Sequence, residues 1–221
     1  MRRQIILTQD GSHTVAIPEL QVTYHSTFGA VQESKHVFIE AGLIPLLQSH
    51  HHIHILEVGF GTGLNALLSL GETEKNGGSI AYTAIEPFPL AKEEIQTLNY
   101  CDQLLRPEWK LYFQQMHACA WEREEPLTPR FSIYKTMSPL QEYHAKHTQQ
   151  LIFFDAFAPA AQPELWEREV FDKLYLLLDP GGILVTYCSK GSVRRTMQDA
   201  GFIIKKLPGP PGKREMIRAM R

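Results

Sequence analysis

Three acidic residues, Glu57, Glu86 and Asp155, stand at the ends of short apolar runs that are predicted to be buried strands. The carboxyl ends of parallel strands meet at one edge of a sheet, and open α/β sheets bind their ligands there. A carboxylate at that edge can accept the hydroxyl protons of a ribose or take a proton from a nucleophile. The three acids are therefore expected to define a single site.

The first of these acids precedes a glycine-rich turn that contains Gly59, Gly61 and Gly63. Glycine permits a tight turn and lets a ligand approach the backbone closely. The dinucleotide-binding fingerprint would place its third glycine where this chain has Leu64, so the spacing disfavours a nicotinamide-dependent oxidoreductase. An acid two residues ahead of a G-x-G-x-G turn is instead typical of class I methyltransferases, which bind S-adenosylmethionine.

The other two acids indicate separate roles. Glu86 lies 23 residues after Gly63, where a carboxylate can accept both hydroxyls of a ribose. Asp155 would face the reacting centre, because an amine must be neutral to accept a methyl group and a carboxylate can take its proton. Each acid also has a simpler interpretation: Glu57 orients the glycine turn, Glu86 is an exposed strand-end acid, and Asp155 contacts the cofactor or a loop.

The apolar pattern supplies the elements that would position these residues. We predict strands at 53–58, 80–85, 131–134, 151–155, 183–187, 202–207 and 215–220, and helices at 31–47, 63–70, 89–98, 163–178 and 192–200. This alternation predicts an α/β fold with a mostly parallel sheet, helices on both faces and an antiparallel edge strand. Residues 1–50, a small β-hairpin and a helix, are predicted to form an N-terminal extension that packs on a core at 51–221.

Composition excludes several other classes of protein. The chain has 221 residues, 43% hydrophobic and 21% charged, which excludes disorder, collagen and coiled coil as descriptions of the whole chain. No apolar run approaches the roughly 18 residues of a membrane span, and the N-terminal apolar run is too short for a signal peptide. Three separated cysteines predict neither a zinc knuckle nor a disulfide framework. We therefore expect a cytoplasmic protein with no membrane partner.

Charge is unevenly distributed along the chain. Residues 190–221 carry nine basic and two acidic side chains, a net charge of +7, whereas the remainder carries −9. A basic segment on an acidic body indicates either an anionic partner or only a solvated surface. Four histidines at positions 50, 51, 52 and 54 lack a nearby cysteine and helical spacing, so no metal site is predicted.

Four stretches carry a resemblance to a known family. They are Tyr24 to Ser34 with Val37 and Phe38, Leu56 to Asn65, Phe154 to Pro159 with Pro163 to Trp166, and Pro180 to Gly182 through Phe202 to Lys213-Arg214-Glu215-Met216. Together they resemble the methyltransferase domain of the MnmC family, bifunctional proteins of tRNA 5-methylaminomethyl-2-thiouridine biosynthesis. The resemblance implies the class I S-adenosylmethionine-dependent methyltransferase (Rossmann-like) fold. It also implies methyl transfer from S-adenosylmethionine to the amine of 5-aminomethyl(-2-thio)uridine at the tRNA wobble position.

The resemblance further implies roles for individual residues. The cofactor would be held by Tyr24, Ser26, Gly29, Glu57, Gly59, Gly61, Gly63, Asn65, Glu86 and Asp155. Asp155 and Phe157 would be catalytic and face the amine and the uracil. The phosphates of a tRNA anticodon loop would meet the basic side chains of Arg194, Arg195, Lys213 and Arg214.

Two features depart from the family pattern. Relatives place an acid after the third core strand to meet the adenine amine, whereas this chain has Thr136 there. The bifunctional proteins also carry an FAD-dependent oxidase domain, so a chain that ends at Arg221 is expected to depend on a separate enzyme that makes the aminomethyl group. The alternatives are a class I methyltransferase that acts on another amine, in a small molecule or a protein, and a non-catalytic binding protein.

Overall fold

A computed structural model describes residues 2–221. The chain begins with a three-stranded antiparallel sheet of β1 (Gln4–Leu7), β2 (His13–Ile17) and β3 (Val22–Thr23). A continuous helical segment follows, made of α1 (Ala30–Ser34), a π-helical stretch (Lys35–Leu43) and α2 (Ile44–Leu47). The predicted hairpin and helix of the N-terminal region are therefore present.

The helical segment contains a proline that leaves one backbone carbonyl without a helical hydrogen-bond donor, and a distant side chain supplies that donor. Pro45 has no N–H to donate to the carbonyl of Ala41, four residues before it. The guanidinium Nε of Arg218 donates to that carbonyl instead, at 2.8 Å. Buried backbone carbonyls need a hydrogen-bond partner, and Arg218 supplies it. The same bond joins the N-terminal helix to the C-terminal part of the chain.

The apolar runs form an eight-stranded sheet. Its strands are β4 (His52–Val58), β5 (Ser79–Ile85), β6 (Glu124–Thr128), β7 (Phe131–Thr136), β8 (Gln149–Phe154), β9 (Leu178–Thr186), β10 (Ile203–Pro208) and β11 (Glu215–Met220). Their order is β10-β11-β9-β8-β4-β5-β7-β6. The five strands from β9 to β7 in that order run parallel, β6 is antiparallel at one edge, and β11 is antiparallel to both its neighbours.

Helices cover both faces of this sheet. They are α3 (Leu64–Asn76), α4 (Lys92–Gln96), α5 (Tyr100–Gln103), α6 (Lys110–Ala118), α7 (Arg168–Leu177) and α8 (Gly191–Asp199). Alternate residues of one strand point to opposite faces, so Leu151 and Phe153 lie in one apolar core and Ile152 and Phe154 lie in the other. The first core contains the N-terminal helix, α3 and α6, and the second contains α7 and α8.

The predicted fold class is confirmed, with differences at several elements. The predicted helix at 163–178 is a short 3₁₀ turn (Pro163–Trp166) followed by α7, because Glu167 adopts an extended conformation between them. The antiparallel strand β11 lies one position in from the edge that β10 forms. The strand β6 was not predicted, because its sequence Glu-Glu-Pro-Leu-Thr lacks an apolar alternation.

The division of the chain at residue 50 stays a prediction. Val37, Phe38 and Leu43 of the N-terminal helix lie in the same apolar core as the central strands. Within residues 2–221, no helix is both long enough and apolar enough to cross a membrane.

Candidate active site

The glycine-rich turn between β4 and α3 has close neighbours that leave no room for side chains. Gly59 has φ of +94°, and a Cβ atom there would lie 2.7 Å from the carbonyl oxygen of Asp155. Gly61 has φ of +52°, and its Cβ would lie 3.0 Å from the ring of Tyr24. Residues with a side chain rarely adopt such φ values. The turn therefore requires glycine at both positions for conformation and for space.

Glu86 follows β5 and is fixed by two backbone donors. Its Oε2 accepts the N–H of Gly61 at 2.8 Å, and its Oε1 accepts the N–H of Phe88 at 2.9 Å. Burial raises the pKa of Glu86, and the two N–H donors oppose this rise. The carboxylate lines the cavity described below and keeps lone pairs free for hydroxyl donors.

The other two strand-end acids share one amide. The side-chain nitrogen of Asn65, in the first turn of α3, donates to Glu57 Oε1 at 2.9 Å and to Asp155 Oδ2 at 3.0 Å. Glu57 is fully buried, and burial raises its pKa well above the usual range. Its second oxygen and the Asn65 carbonyl oxygen have no hydrogen-bond partner. Of these two acceptors, that of Asn65 belongs to a residue that lines the cavity described below.

Asp155 lies at the end of β8 in a strongly perturbed environment. Burial is the largest cause that raises its pKa to about 8, and the negative charge of Glu33 adds to the rise. The hydrogen bond from Asn65 and the positive charge of Lys213 act in the opposite direction. A carboxyl group with a pKa near neutrality can exchange a proton with a bound nucleophile.

Glu86, Asn65 and Asp155 line one cavity of about 690 Å³, which is within the usual size range for small-molecule sites. The rings of Tyr24 and Phe157 meet edge to face with centroids 5.1 Å apart. Leu20 and Phe88, also in the lining, are 42% and 70% exposed. The cavity therefore combines acids on its sheet side with an apolar and aromatic rim.

The residues present fit S-adenosylmethionine. The glycine turn leaves space that any Cβ would fill, Glu86 presents a carboxylate to a ribose, and Asn65, in the cavity lining, keeps an unpartnered acceptor oxygen for the ammonium group of the cofactor. This fit rests on donor and acceptor chemistry, because an ammonium group needs acceptors and ribose hydroxyls need a carboxylate or amide. The assignment of individual cofactor contacts remains a prediction.

The structure brings together most of the residues predicted for the site. Tyr24, Gly59, Gly61, Asn65 and Glu86 line the cavity together with Asp155 and Phe157. Glu57 contacts this set through Asn65. Gly63 is the N-cap of α3 with φ of +73°, and a Cβ there would lie 2.9 Å from the ring of His117 and 3.0 Å from that of Phe60.

Ser26 and Gly29, like Glu57 and Gly63, are predicted cofactor residues that do not line the cavity. The N–H of Ser26 donates to Glu33 Oε2 at 2.6 Å. A Cβ at Gly29 would collide with the carboxylate of Asp10, at 2.5 Å. Both residues shape the loop that carries Tyr24, and their contact with a cofactor stays a prediction.

The four predicted phosphate contacts separate into two groups. Arg195 and Arg214 are exposed and Arg194 is half-buried. Lys213 instead forms an ion pair with the buried Glu33, and its ammonium group lies 3.9 Å from the centre of the Tyr187 ring. The three arginines are therefore the better-placed cations for an anionic partner.

The position that lacks the family's acid has a carboxylate from elsewhere beside it. Thr136 donates its hydroxyl to Glu122 Oε1 at 2.7 Å, and the N–H of Met137 donates to the same oxygen at 3.0 Å. Glu122 comes from the loop between α6 and β6. The cavity is not lined by Glu122 or Thr136 but by Leu140 and Gln141 nearby.

Sequence reasoning missed Arg3, which lines the cavity from the N-terminal sheet. Its guanidinium donates to the carbonyl oxygens of Phe88 and Pro89 at 2.6 and 3.0 Å, and it pairs with Glu94 at 3.2 Å. No spacing or motif links Arg3 to the loop after β5, so only the docking of the N-terminal sheet reveals this role.

The histidine cluster lies outside this site. His50 and His51 are exposed before β4, and the rings of His52 and His54 on β4 lie 4.7 Å apart beside a separate groove of about 270 Å³. Among residues 2–221, no group of three or more His, Cys, Asp or Glu side chains is arranged to hold a metal ion.

A family model described as S-adenosyl-L-methionine-dependent methyltransferase matches residues 96–221, which is more than half of the chain. The chain belongs to this methyltransferase family. S-adenosylmethionine is thus its cofactor, in agreement with the chemistry of the cavity.

Curated relatives of this methyltransferase cover most of it. The tRNA 5-methylaminomethyl-2-thiouridine biosynthesis bifunctional protein MnmC of Aeromonas hydrophila is 30% identical over 215 residues, which is 90% of this chain and 32% of the relative. The protein of the same name from Aromatoleum aromaticum is 32% identical over 207 residues, covering 88% and 32%. The chain therefore spans about a third of the length of these relatives.

Solved structures confirm the methyltransferase fold. MNMC2 from Aquifex aeolicus matches 99% of this chain and 69% of its own, with a TM-score of 0.81 and 23% identity. Spermidine synthase from Thermotoga maritima matches 99% of this chain and 68% of its own, with a TM-score of 0.59 and 14% identity. At such identities the likeness concerns the fold alone.

Proposed function

We propose that this methyltransferase transfers a methyl group from S-adenosylmethionine to the primary amine of 5-aminomethyluridine at the wobble position of tRNA. The product would be 5-methylaminomethyluridine, with or without 2-thiolation. The names of the MnmC relatives support this substrate, since they describe biosynthesis of that nucleoside and their similarity extends over about nine-tenths of this chain.

The observation that carries the proposal is the position of Asp155. Its carboxyl group lines the cavity at the end of β8, has a pKa of about 8, and lies beside Asn65. Phe157 lies two residues further on and packs against Tyr24 at the same cavity. A base next to an aromatic pair suits an amine that is attached to a flat pyrimidine ring.

The chain's own residues would perform three tasks. S-adenosylmethionine supplies, when bound, an electrophilic methyl group on a sulfonium. Asp155 takes a proton from the substrate ammonium, so that the nitrogen lone pair becomes free to form the new bond. Phe157 and Tyr24 stack or enclose the uracil, and Glu57, Asn65 and Glu86 hold the opposite side of the cavity in place. Positioning of this kind supplies much of the acceleration of a two-substrate reaction.

A tRNA substrate also needs a surface for its phosphates. Arg194 and Arg195 lie on α8, whose first residue follows the loop after β9, and Arg214 lies in the loop between β10 and β11. We propose that these three arginines contact the anticodon arm and that the target base is extruded into the cavity.

The proposal also includes the cellular compartment of the reaction and the source of its substrate. The enzyme would act in the cytoplasm, where tRNA is modified. A separate enzyme activity would provide the aminomethyl group on the uridine, because methyl transfer to an amine consumes an amine that must be made first.

The deciding experiment uses the purified chain, S-adenosylmethionine and tRNA that carries 5-aminomethyluridine. Digestion to nucleosides and mass spectrometry should show the gain of one methyl group on that nucleoside. Asp155→Asn should reduce the rate on the order of 10²–10⁴-fold, the usual contribution of a general base. Asp102→Asn, at an exposed acid on α5, is the matched control and should retain the rate.

The salt dependence of tRNA binding tests the substrate class. Replacing Arg194, Arg195 and Arg214 by Gln should weaken tRNA binding and reduce the dependence of log K on log salt concentration by roughly 0.7 for each lost phosphate contact. Unchanged binding in this variant, or methylation of small amines or proteins in place of tRNA, would favour a different amine substrate.

A further inference from the structure

Side-chain donors hold the backbone of the segment that follows Asp155. The indole N–H of Trp166 donates to the carbonyl oxygen of Phe157 at 2.8 Å, and the Tyr187 hydroxyl donates to that of Ala156 at 2.8 Å. Trp166 is buried, whereas Phe157 lines the cavity beside Asp155. The backbone between the proposed base and the aromatic ring is therefore fixed by two independent donors.

Gln162 returns to this segment through a tight turn. The N–H groups of Ala161 and Gln162 both donate to the carbonyl oxygen of Ala158, at 2.8 and 3.1 Å. The turn brings the Gln162 side chain back to Phe157, whose N–H donates to Gln162 Oε1 at 3.3 Å. Gln162 is half-buried and lines the same cavity as Asp155. Its side chain is thus held in place by its own oxygen.

The nitrogen of this amide is the half that a ligand can use. A glutamine amide has one acceptor oxygen and two N–H donors. The oxygen of Gln162 is engaged by Phe157, and its Nε2 has no hydrogen-bond partner among residues 2–221. Gln162 therefore offers a donor to a molecule in the cavity, since the bond to the Phe157 N–H opposes the flip that would offer the acceptor.

The chemistry of the pyrimidine ring selects the atom that this donor would meet. The aminomethyl group of the proposed substrate is on C5, and the neighbouring carbon C4 carries the oxygen O4. Cytosine has an amino group in place of O4, so the two bases present an acceptor and a donor there. Asp155 and the Phe157 N–H that holds Gln162 are two residues apart. With Asp155 at the amine on C5, O4 is the nearer of the two uracil oxygens, because O2 is on the far side of the ring.

We propose that Gln162 is a specificity-determining residue: its amide nitrogen donates to O4 of the target uracil while its amide oxygen stays on the Phe157 N–H. The proposal deepens the function given above and rests on it for the identity of the target base. Extruded bases are commonly read by hydrogen bonds to their edges together with aromatic packing. Position 2 of the ring is not read by this bond, so oxygen and sulfur there are equivalent to it.

The test compares kcat/KM for two tRNAs that carry 5-aminomethyluridine or 5-aminomethylcytidine at the wobble position. The original protein should prefer the uridine by roughly tenfold to a hundredfold, because the cytosine amino group would face the Gln162 donors and leave buried groups unpaired. The absence of a preference in the original protein would overturn the proposal.

Two variants and a control separate base reading from a structural role. Gln162→Glu keeps an oxygen for the Phe157 N–H and replaces the donor by an acceptor, so the preference for uridine should fall by at least tenfold and turn toward cytidine. Gln162→Leu has no polar group and should bring the ratio close to one. Gln114→Glu makes the same change at an exposed position on α6 and should keep the original ratio.

The ratio of the two substrates is the decisive quantity. The negative charge that Gln162→Glu adds near Asp155 acts on both tRNAs and cancels in the ratio. An equal loss of kcat/KM on both tRNAs in Gln162→Glu would overturn the proposal, since a residue that only supports the turn gives that result. The proposal would also be overturned by a Gln162→Glu effect that appears only between uridine and 2-thiouridine substrates, since that result indicates contact at position 2.

A second readout does not require turnover. Isothermal titration calorimetry gives the affinities of the same two tRNAs for the complex with S-adenosylhomocysteine, whose binding also verifies that each variant is folded. If neither tRNA is methylated but Gln162→Glu turns the binding preference from uridine to cytidine, the proposed function fails and the inference stands. If the uridine tRNA is methylated and the preference is the same in every variant, the inference fails and the function stands.

Discussion

Glu86 accepts the backbone N–H of Gly61 at 2.8 Å, although the two residues lie 25 positions apart in the chain. They follow adjacent parallel strands, β4 and β5, whose ends are in register at Val58 and Ile85. The bond makes the acid and the glycine turn one rigid unit. Because the other Glu86 oxygen accepts the N–H of Phe88, the carboxylate has one orientation before any ligand binds.

Removing this carboxylate should weaken cofactor binding. Hydrogen bonds to charged groups contribute about 1.5–3 kcal/mol each, so Glu86→Ala should lower the affinity for S-adenosylhomocysteine by roughly tenfold to a hundredfold or more. Isothermal titration calorimetry measures the change. Glu93→Ala, at an exposed position on α4, is the control and should bind as the original protein does.

Two glycine-to-alanine substitutions can separate the cost of backbone strain from the cost of a steric clash. Gly59→Ala and Gly181→Ala both place a side chain at positive φ, at +94° and +81°, which costs about 1–2 kcal/mol. At Gly181 no atom lies within 4 Å of the new Cβ, whereas at Gly59 the Asp155 carbonyl oxygen lies 2.7 Å away. Chemical denaturation should therefore show the larger loss of unfolding free energy for Gly59→Ala. Equal losses would contradict the close contact.

Asp155 should make the free protein less stable as the pH rises. Its pKa is about 8 in the folded protein against a usual value of 3.8, so the folded state binds more protons than the unfolded state between these values, and stability falls over that interval. Asp155→Asn removes this cost and should raise the melting temperature at pH 8.5 but not at pH 4. Each kcal/mol corresponds to roughly 2–4 °C for a chain of this size.

The control for this prediction is Asp102→Asn, measured over the same pH range. A melting temperature of Asp155→Asn that exceeds that of the original protein equally at both pH values would attribute the gain to packing and not to the carboxyl charge.

Arg3 should stabilise the loop after β5. Arg3→Ala removes the donors to Phe88 and Pro89, so hydrogen exchange at the backbone amides of Glu86, Phe88 and Leu90 should become faster and the affinity for S-adenosylhomocysteine should fall by roughly tenfold or less. Arg2→Ala, at an exposed neighbour, should change neither quantity. Arg3→Lys should show part of the loss seen in Arg3→Ala, because a single ammonium group cannot make all the hydrogen bonds of the guanidinium group.

The sequence was sufficient to predict the part of the site that depends on strand ends. Glu57, Glu86 and Asp155 lie where alternating apolar runs predict the carboxyl ends of parallel strands, and glycine spacing predicts the turn between them. These signals are local, because residue type and position relative to one strand carry them.

The rest of the site depends on contacts that no local pattern encodes. Glu33 meets Lys213 across 180 positions, and Arg3 reaches a loop 85 residues away. The polar sequence of β6 becomes a strand only because β7 offers it a partner. Tertiary pairing overrides weak strand propensity there.

The joining of the N-terminal helix to the β10–β11 hairpin has a consequence for how the molecule folds. Three hydrogen bonds between these segments, from His36 to Pro208, from Lys213 to Glu33 and from Arg218 to Ala41, close loops of 172, 180 and 177 residues. Contacts of such high sequence separation form late, because their loop-closure entropy must be overcome first. The side of the cavity built from β4, β5 and the glycine turn can thus assemble during synthesis before the β10–β11 hairpin emerges from the ribosome and docks on the N-terminal helix.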